Sequence, residues 1–439
     1  MMERTRAQLY LQRLSDYGVT MGIRCSYVAN TDWAIFNFRK GLIKSLQKRG
    51  CHVSVICSDS GFVDDLRSLR VDAQIGVKHY VKNIDPLRDI ALFLEYRHLY
   101  AMLSPDIVHH FTIKPIIYGS VAARMAKVPV IVNTIAGLGY IFGEGQGRRS
   151  WLRLLAWGLY KVGGLFSDHF SFQNRDDMEY FTKRKIVRED KCSCVLGSGV
   201  DLGYFSPENV DEEKVIAIRQ QLGLEGYDNV ILMVSRMLYE KGVREFVAAA
   251  TNIVQKNKRV KFILVGPLAP GNPSMIPMQE IDKWVDGLNI QYLGRRADIR
   301  ELMFVADMVV LPSYYKEGIP KSLLEAAAMG KPIITSDAVG CREVVNHGEN
   351  GFLVPIKDSQ ALQDAIEQLL INGALRAAMG EKSRDRAINE FDEKKVIAQT
   401  LLAYETLLAR KGKKVRLGNI DCRVGVEEKS LQEAGLNST

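Results

Sequence analysis

The segment Glu317-Gly318-Ile319-Pro320-Lys321-Ser322-Leu323-Leu324-Glu325 sets two carboxylates eight positions apart. Proline suits the first turn of a helix, where its missing N–H costs little. The spacing therefore predicts Glu317 in a loop and Glu325 inside the helix that follows. Free backbone N–H groups at a helix start suit an anion, and carboxylates beside an anion site are suited to gripping hydroxyl groups. The chemistry this predicts is recognition of a sugar attached to a phosphate. Glu325 stands among Leu323, Leu324, Ala326, Ala327 and Ala328, where a buried charge without a partner is costly. Taken alone it reads equally well as a snorkelling surface glutamate, and its fixed offset from Glu317-Gly-Ile-Pro is what argues for a ligand.

A second constellation is Ser235-Arg236-Met-Leu-Tyr-Glu-Lys241-Gly242, which follows a strand-like run and opens a helical one. Cations at a helix start oppose the macrodipole unless an anion sits there. Arg236 and Lys241 are therefore candidates for holding a diphosphate and stabilising its charge as it leaves; the competing reading is two solvated cations. Gly266 and Gly294-Arg295 each end a further strand-like run, a weaker signal because glycine after a strand is common.

These residues need elements to position them. Short apolar runs alternate with amphipathic patterns along most of the chain, which predicts parallel sheets covered by helices. Strands are expected at 22–28, 53–57, 107–109 and 130–133, and helices at 36–48 and 118–127. Cys192 and Cys194 alternate as strand neighbours do. The pattern restarts after Gly197-Ser-Gly-Val-Asp-Leu-Gly-Tyr-Phe-Ser-Pro207, a Gly/Ser/Pro-rich stretch that reads as a linker. Beyond it, strands are expected at 229–235, 260–265, 290–293, 308–311 and 332–335, with helices at 243–254, 358–372 and 394–409. The fold class predicted is α/β, with two doubly wound parallel-sheet domains. Their strand ends would face a shared cleft, since ligands of open α/β sheets bind at carboxyl ends. The domains are 21–196 and 197–410, between an N-terminal extension over 1–20 and a polar tail over 411–439 that reads as partly disordered. Met21 offers an alternative start of translation.

Composition narrows the class. The chain has 439 residues, 47% hydrophobic and 25% charged, as expected of a globular enzyme with two or three domains. A formal net charge of +8 suits phosphorylated substrates or an anionic membrane face, and no aromatic-basic motif points to nucleic acid. Seven cysteines without a CxxC pair read as reduced thiols of a cytosolic protein. No signal-peptide pattern and no 18-residue uncharged apolar run is present. The mixture Arg148-Arg149-Ser-Trp151-Leu-Arg153-Leu-Leu-Ala-Trp157-Gly-Leu-Tyr160-Lys161 fits an interfacial membrane helix as well as a core helix with solvated cations.

The run from Pro312 through Glu317 and Glu325 to Pro332 resembles the donor-site signature of the family 4 retaining glycosyltransferases, also called group 1, which have the GT-B fold. Gly340-Cys-Arg-Glu343 and Asn346-His-Gly348-Glu-Asn350-Gly351 continue the resemblance. It implies that Glu317 contacts a donor sugar, that Glu325 holds ribose hydroxyls, and that the backbone of Gly318, Ile319, Pro320, Lys321 and Ser322 meets the sugar and diphosphate. Arg236 and Lys241 match the family's R-x₄-K element, and Gly266 and Arg295 match positions flanking the base. The last helix is implied to cross back to the first domain.

The first half would then bind the acceptor, through His109-His110-Phe-Thr112-Ile-Lys114, Asn133-Thr134-Ile-Ala-Gly137-Leu-Gly139-Tyr140-Ile-Phe142 and Ser171-Phe-Gln173-Asn174. The candidate acceptor residues are His110, Lys114, Asn133 and Thr134. These segments are similar to a subgroup that assembles bacterial O-antigen, capsule and related glycans on an undecaprenyl diphosphate carrier, whose phosphate Lys114 would meet. Two features depart from the family. No histidine follows Thr134, so His109 or His110 is the candidate replacement. The usual Gly-rich loop after the first strand is replaced by Asn30-Thr31-Asp32-Trp33.

The resemblance implies transfer of a hexose or N-acetylhexosamine from a nucleoside diphosphate sugar, UDP first among candidates, to a lipid-linked sugar with retention. It also implies a cytoplasmic enzyme in peripheral contact with the membrane face. No D-x-D triplet occurs, and the paired histidines lack a third ligand at metal-like spacing, so no metal and no other cofactor is expected. The alternatives are another GT-B enzyme such as a nucleotide-sugar epimerase, or a non-catalytic sugar-nucleotide-binding protein. A dinucleotide-dependent dehydrogenase would need a G-x-G-x-x-G after a first strand, which is absent.

Overall fold

The computed structural model describes residues 22–80, 85–139 and 150–417. The N-terminal extension, Met21, Tyr140, Phe142, Arg148, Arg149 and the tail beyond 417 lie outside the described residues. The chain forms two compact units. The first takes the chain up to Ala136, Glu144–Val195 and everything from Val396; the second takes Gly137–Gly143 and Leu196–Lys395.

In the first unit β1 (Arg24–Thr31), α1 (Asp32–Gln47), β2 (His52–Ser58), α2 (Val63–Arg67), β3 (Ala73–Gly76), α3 (Pro86–Leu103), β4 (Ile107–Phe111), α4 (Ser120–Met125), β5 (Val130–Ile135), α5 (Ser150–Phe166), β6 (His169–Phe172), α6 (Arg175–Lys183) and β7 (Cys192–Cys194) follow in order. The seven strands pair in parallel in the order β3-β2-β1-β4-β5-β6-β7. The second unit holds α7 (Glu212–Gln221), β8 (Asn229–Val234), α8 (Val243–Lys256), β9 (Val260–Val265), α9 (Met278–Trp284), β10 (Ile290–Tyr292), α10 (Ile299–Val305), β11 (Met308–Leu311), α11 (Lys321–Ala328), β12 (Ile333–Ser336), β13 (Gly351–Val354), α12 (Ser359–Ile371) and α13 (Gly373–Glu390). Its parallel sheet runs β10-β9-β8-β11-β12-β13. The final helix, α14 (Glu393–Arg410), starts in the second unit and then belongs to the first.

Alternation along each strand splits the first core in two, because successive side chains leave opposite faces of a sheet. Tyr27, Val53, Val55, Val130 and Val132 pack with Ile35 and Leu42 of α1 and with Leu401, Tyr404 and Leu408 of α14. Val28, Ile56, Val108 and Ile131 pack on Leu92 and Tyr96 of α3 and on Ala122 and Ala123 of α4. Helix starts follow side-chain chemistry: Thr31, Asp85, Asn174, Asp211, Asp358 and Asn372 each cap a helix by accepting a backbone N–H, as short oxygen-bearing side chains do.

Several expectations are corrected. β1 starts at Arg24 and α1 already at Asp32. The helix expected at 118–127 opens as a π-helical turn, Pro115–Gly119, and continues as α4. The segment read as a linker is tied down: Val200 is buried, its N–H reaches Phe391 O at 2.8 Å, and its carbonyl accepts from Glu393 N at 3.0 Å. The start of the tail is anchored as well. Lys411 pairs with Asp168 at 2.9 Å, Lys413 pairs with Asp106, and Leu417 is buried in the first unit.

β4 carries two histidines, one toward each core. His109 bonds through Nδ1 to the Tyr404 hydroxyl (2.5 Å) and through Nε2 to Thr134 Oγ1 (2.6 Å). His110 bonds through Nδ1 to Asn133 Oδ1 and through Nε2 to the Tyr100 hydroxyl, both at 2.9 Å. An amide oxygen only accepts, so His110 carries a proton on Nδ1. Burial pushes His110 down to about 4, and His169, bonded to Ser193 at 2.8 Å, is pushed down to about 4 by burial and then by Arg410. His109 is held well below the ordinary histidine value, by burial first and then by Arg39. The unfolded chain protonates these rings near pH ~6.5, so between about 4 and that value it binds more protons than the folded state. Stability is full above ~6.5 and is lost as pH falls through this window. Urea unfolding should give a lower stability at pH 5 than at pH 7.5, and His169→Gln should flatten part of that slope; identical slopes in both proteins would dismiss the contribution.

Candidate active site

In each sheet the strand order reverses once, between β1 and β4 in the first unit and between β8 and β11 in the second. The two helices leaving such a pair go opposite ways, and a crevice opens beyond the carboxyl ends. In the second unit Arg236 and Lys241 follow β8, and the Glu317 segment follows β11.

The structure brings Lys241 and Glu317 together. Lys241 ends a 3₁₀ turn, Tyr239–Lys241, and its ammonium pairs with Glu317 Oε1, with 8% and 17% of the two side chains exposed. The reading of Lys241 as a solvated cation therefore fails. The buried Ser313 hydroxyl donates to the same carboxylate oxygen at 3.1 Å, and Tyr315 N–H bonds Ser313 Oγ at 3.3 Å. Tyr314 and Tyr315 N–H both bond the Glu240 carbonyl, at 2.8 and 3.1 Å. The two turns are thus joined by backbone as well as by charge.

The Glu317-Gly318 backbone is clamped from two sides. Gly340 has φ +78, and a Cβ there would fall 1.8 Å from Gly318 O; at Gly137, with φ +101, a Cβ would fall 2.5 Å from the Glu317 carbonyl carbon. Both positions are closed to other residues by contact and by conformation. Gly139 N–H donates to Lys316 O at 2.8 Å.

Glu325 lies in the middle of α11, half-buried, as expected. Pro320 is the cap of that helix, just ahead of Lys321. Ile319 and Pro320 are buried, while Lys321 and Ser322 are partly open at the helix start, where N–H groups lack intrahelical acceptors. Arg236 is exposed and near Tyr315, whose hydroxyl is raised by burial and partly brought back by that guanidinium. Gly266 is buried and bonds Gly294 O (2.8 Å) and the Tyr292 hydroxyl (2.8 Å), so it joins two strand ends; Arg295 is exposed just past β10. Ser313 lies inside the same run of sequence and is not among the candidates that the sequence suggests. Its place four residues before Glu317 is the signal that could have found it.

The first-unit candidates are placed differently. His110 and Asn133 are fully buried and bonded to each other, and Asn133 also holds Ser120 and Ser167. Thr134 is engaged by His109. Lys114 is buried and paired with Asp89 at 2.5 Å, and the Tyr118 hydroxyl also donates to Asp89, at 3.1 Å. Lys114 is therefore neither solvated nor an uncompensated charge awaiting a phosphate. All four ring nitrogens of His109 and His110 are occupied, so neither stands as an open substitute for the missing histidine. Between these residues Thr112 has φ +77, a conformation costing a β-branched residue about 1–3 kcal/mol.

Two family profiles match the chain: "Glycosyl transferases group 1" over residues 214–386 and "Glycosyl transferase 4-like" over 24–169. The chain is a glycosyltransferase. The N,N'-diacetylbacillosaminyl-diphospho-undecaprenol alpha-1,3-N-acetylgalactosaminyltransferase of Campylobacter jejuni is 29% identical over 386 residues, 88% of this chain and 99% of the relative. The UDP-Gal:alpha-D-GlcNAc-diphosphoundecaprenol alpha-1,3-galactosyltransferase of Escherichia coli is 29% identical over 345 residues, 77% of this chain and 85% of the relative. Among solved structures, HepE of Anabaena, in complex with UDP, superposes with a TM-score of 0.71 at 19% identity, covering 87% of this chain and 99% of that one. That likeness fixes the fold as GT-B. This glycosyltransferase is thus an enzyme, and the epimerase and non-catalytic readings are disfavoured.

In the free glycosyltransferase the Lys241–Glu317 pair shields two charges from water, and removing one partner strands the other. Lys241→Ala should lower the unfolding free energy of the UDP-free protein by about 3 kcal/mol. A Lys241→Met, Glu317→Leu double variant should recover most of it. Denaturant titration measures both; a single variant as stable as wild type would show that the pair contributes nothing.

Proposed function

We propose that this glycosyltransferase moves a hexose or N-acetylhexosamine from a UDP-sugar onto an acetamido sugar carried by undecaprenyl diphosphate, with retention, in the assembly of a cell-surface polysaccharide. The observation that carries the reading is the joining of the β8 and β11 turns by Lys241 and Glu317, beside the open start of α11. The activities of the two relatives, both on sugars linked to diphosphoundecaprenol, support the acceptor class.

In this reading Glu317 positions the donor sugar and Glu325 holds the ribose hydroxyls. The N–H groups of Gly318, Ile319, Lys321 and Ser322, with Arg236 and Lys241, take the diphosphate charge, which grows as the glycosidic bond breaks. Pairing with Glu317 holds the Lys241 ammonium in place before substrate arrives, so little reorganisation is needed in the transition state. The departing phosphate oxygen accepts the proton of the acceptor hydroxyl. The two cations act in place of a divalent metal.

We also propose peripheral membrane contact through the first unit. No helix among the described residues is long and apolar enough to cross a membrane. α5 instead exposes Trp151, Leu154, Leu155 and Leu165, and α3 exposes Leu87, Ile90 and Leu94. Trp157 is not part of this surface, because its Nε1 donates to the Tyr180 hydroxyl at 3.0 Å and Arg184 lies over its ring. Exposed apolar side chains on helices that also carry cations suit the headgroup boundary of an anionic bilayer on the cytoplasmic side.

Mass spectrometry of a UDP-sugar panel with polyprenyl diphosphate sugars should show one sugar added. Arg236→Ala should lower kcat by about 100-fold or more. Undiminished turnover in that variant would remove the diphosphate assignment. Co-sedimentation with phosphatidylglycerol vesicles should show binding that Trp151→Glu with Leu154→Glu reduces several-fold; equal binding would rule out this face.

A further inference from the structure

The segment Asn30-Thr31-Asp32-Trp33 stands where the family resemblance places a Gly-rich loop. It lies at the carboxyl end of β1, next to β4, at the point where the first sheet reverses its order. Val28 pairs with His110. Asn30 lies near the end of β1 and Thr112 directly follows β4, so the two stand at neighbouring strand ends.

Both residues carry an unanswered polar atom. Asn30 Oδ1 and Thr112 Oγ1 are shielded from solvent and have no hydrogen-bond partner among the described residues, although each residue keeps part of its surface open. Buried polar atoms are nearly always satisfied. Thr112 is also held at φ +77, a conformation that persists only where its surroundings enforce it. The corner is rigid on the other side too. Asp32 is fully buried and accepts the N–H groups of Ser60 and Phe62, each at 3.0 Å. The Asn30 amide nitrogen faces the Tyr80 hydroxyl. Lys114, two residues past Thr112, is neutralised by Asp89. The corner therefore presents hydrogen-bonding atoms without an excess of charge, which suits a neutral polar group better than a diphosphate.

We infer that Asn30 and Thr112 form the acceptor-sugar subsite and recognise an acetamido group. Asn30 Oδ1 can only accept, and the Thr112 hydroxyl can donate. An amide supplies the matching N–H and C=O on separate atoms and satisfies both at once. The assignment rests on the acceptor class proposed above, and it adds the residues that read the acceptor and the group they read.

The test uses the full-length protein in detergent with two synthetic polyprenyl diphosphate acceptors, one bearing GlcNAc and one bearing glucose, which has a hydroxyl in place of the acetamido group. Wild type should prefer the GlcNAc acceptor at least ~10-fold in kcat/KM, the scale of one hydrogen-bonded group. Thr112→Gly and Asn30→Ala should bring the ratio toward one, while UDP affinity stays within about twofold of wild type. Thr112→Ser should keep the preference. Glycine takes φ +77 without strain, so Thr112→Gly removes the hydroxyl without threatening the fold. An unchanged preference in both variants, or a loss of UDP affinity alongside it, would overturn the subsite and leave the acceptor class standing. Wild-type transfer to neither acceptor would overturn the acceptor class and the subsite with it.

Discussion

The reversal of strand order within each parallel sheet is the constraint on which the rest of the structure depends. A right-handed crossover carries each helix to one side of its strand, so helices leaving neighbouring strands in opposite senses cannot close over the strand ends between them. In the second unit this falls between β8 and β11 and exposes the two turns that hold Arg236, Lys241, Ser313 and Glu317. In the first unit it falls between β1 and β4 and leaves Asn30 and Thr112 partly open, beside the buried Lys114. Chemistry-bearing residues are grouped by this topology even though the chain separates them widely.

The second-unit site depends on order that is present before any ligand arrives. Glu317 is fixed by an ammonium, a hydroxyl and two glycine contacts. A carboxylate held this way loses little conformational freedom when a sugar binds, which is how rigid sites gain affinity. Lys241 carries the related cost of a charge taken out of water, which Glu317 offsets. The first unit follows a different logic. Its buried histidines, tyrosines and Asn133 form a satisfied polar network that ties the β4 and β5 ends to one another and to α14. Such networks specify a single packing when every member is bonded.

Most strands were legible because a strand buried on both faces reads as a short apolar run, as Val260–Val265 and Met308–Leu311 do. Among the elements that were not are α3, β3 and α13. α3 spreads apolar residues around its circumference, with Leu87, Ile90 and Leu94 exposed and Leu92 and Tyr96 buried, so it has no single stripe. β3, Ala73–Gly76, is a four-residue edge strand with little apolar character. α13 is polar along most of its length and is held through Met379, Ser383 and Ala387. The Gly/Ser/Pro-rich stretch at 197–207 misled for the opposite reason: its composition says turn, but its backbone is bonded to residues far along the chain.

By itself the sequence determined the α/β alternation, the helix that presents Glu325, the loop that presents Glu317, and the cations placed after a strand. Each of these is written in neighbouring residues, where turn chemistry, capping and periodicity act over a few positions. The tertiary structure alone decided which candidates are available for chemistry. It paired Lys241 with Glu317, 76 residues away, and neutralised Lys114 with Asp89. It buried His109, His110 and Asn133 in a closed network and brought Tyr404 back across 377 residues to bond Tyr27. Whether a charged or polar side chain is free depends on what packs around it. That is set by long-range contacts between strand ends, and local spacing carries no record of it.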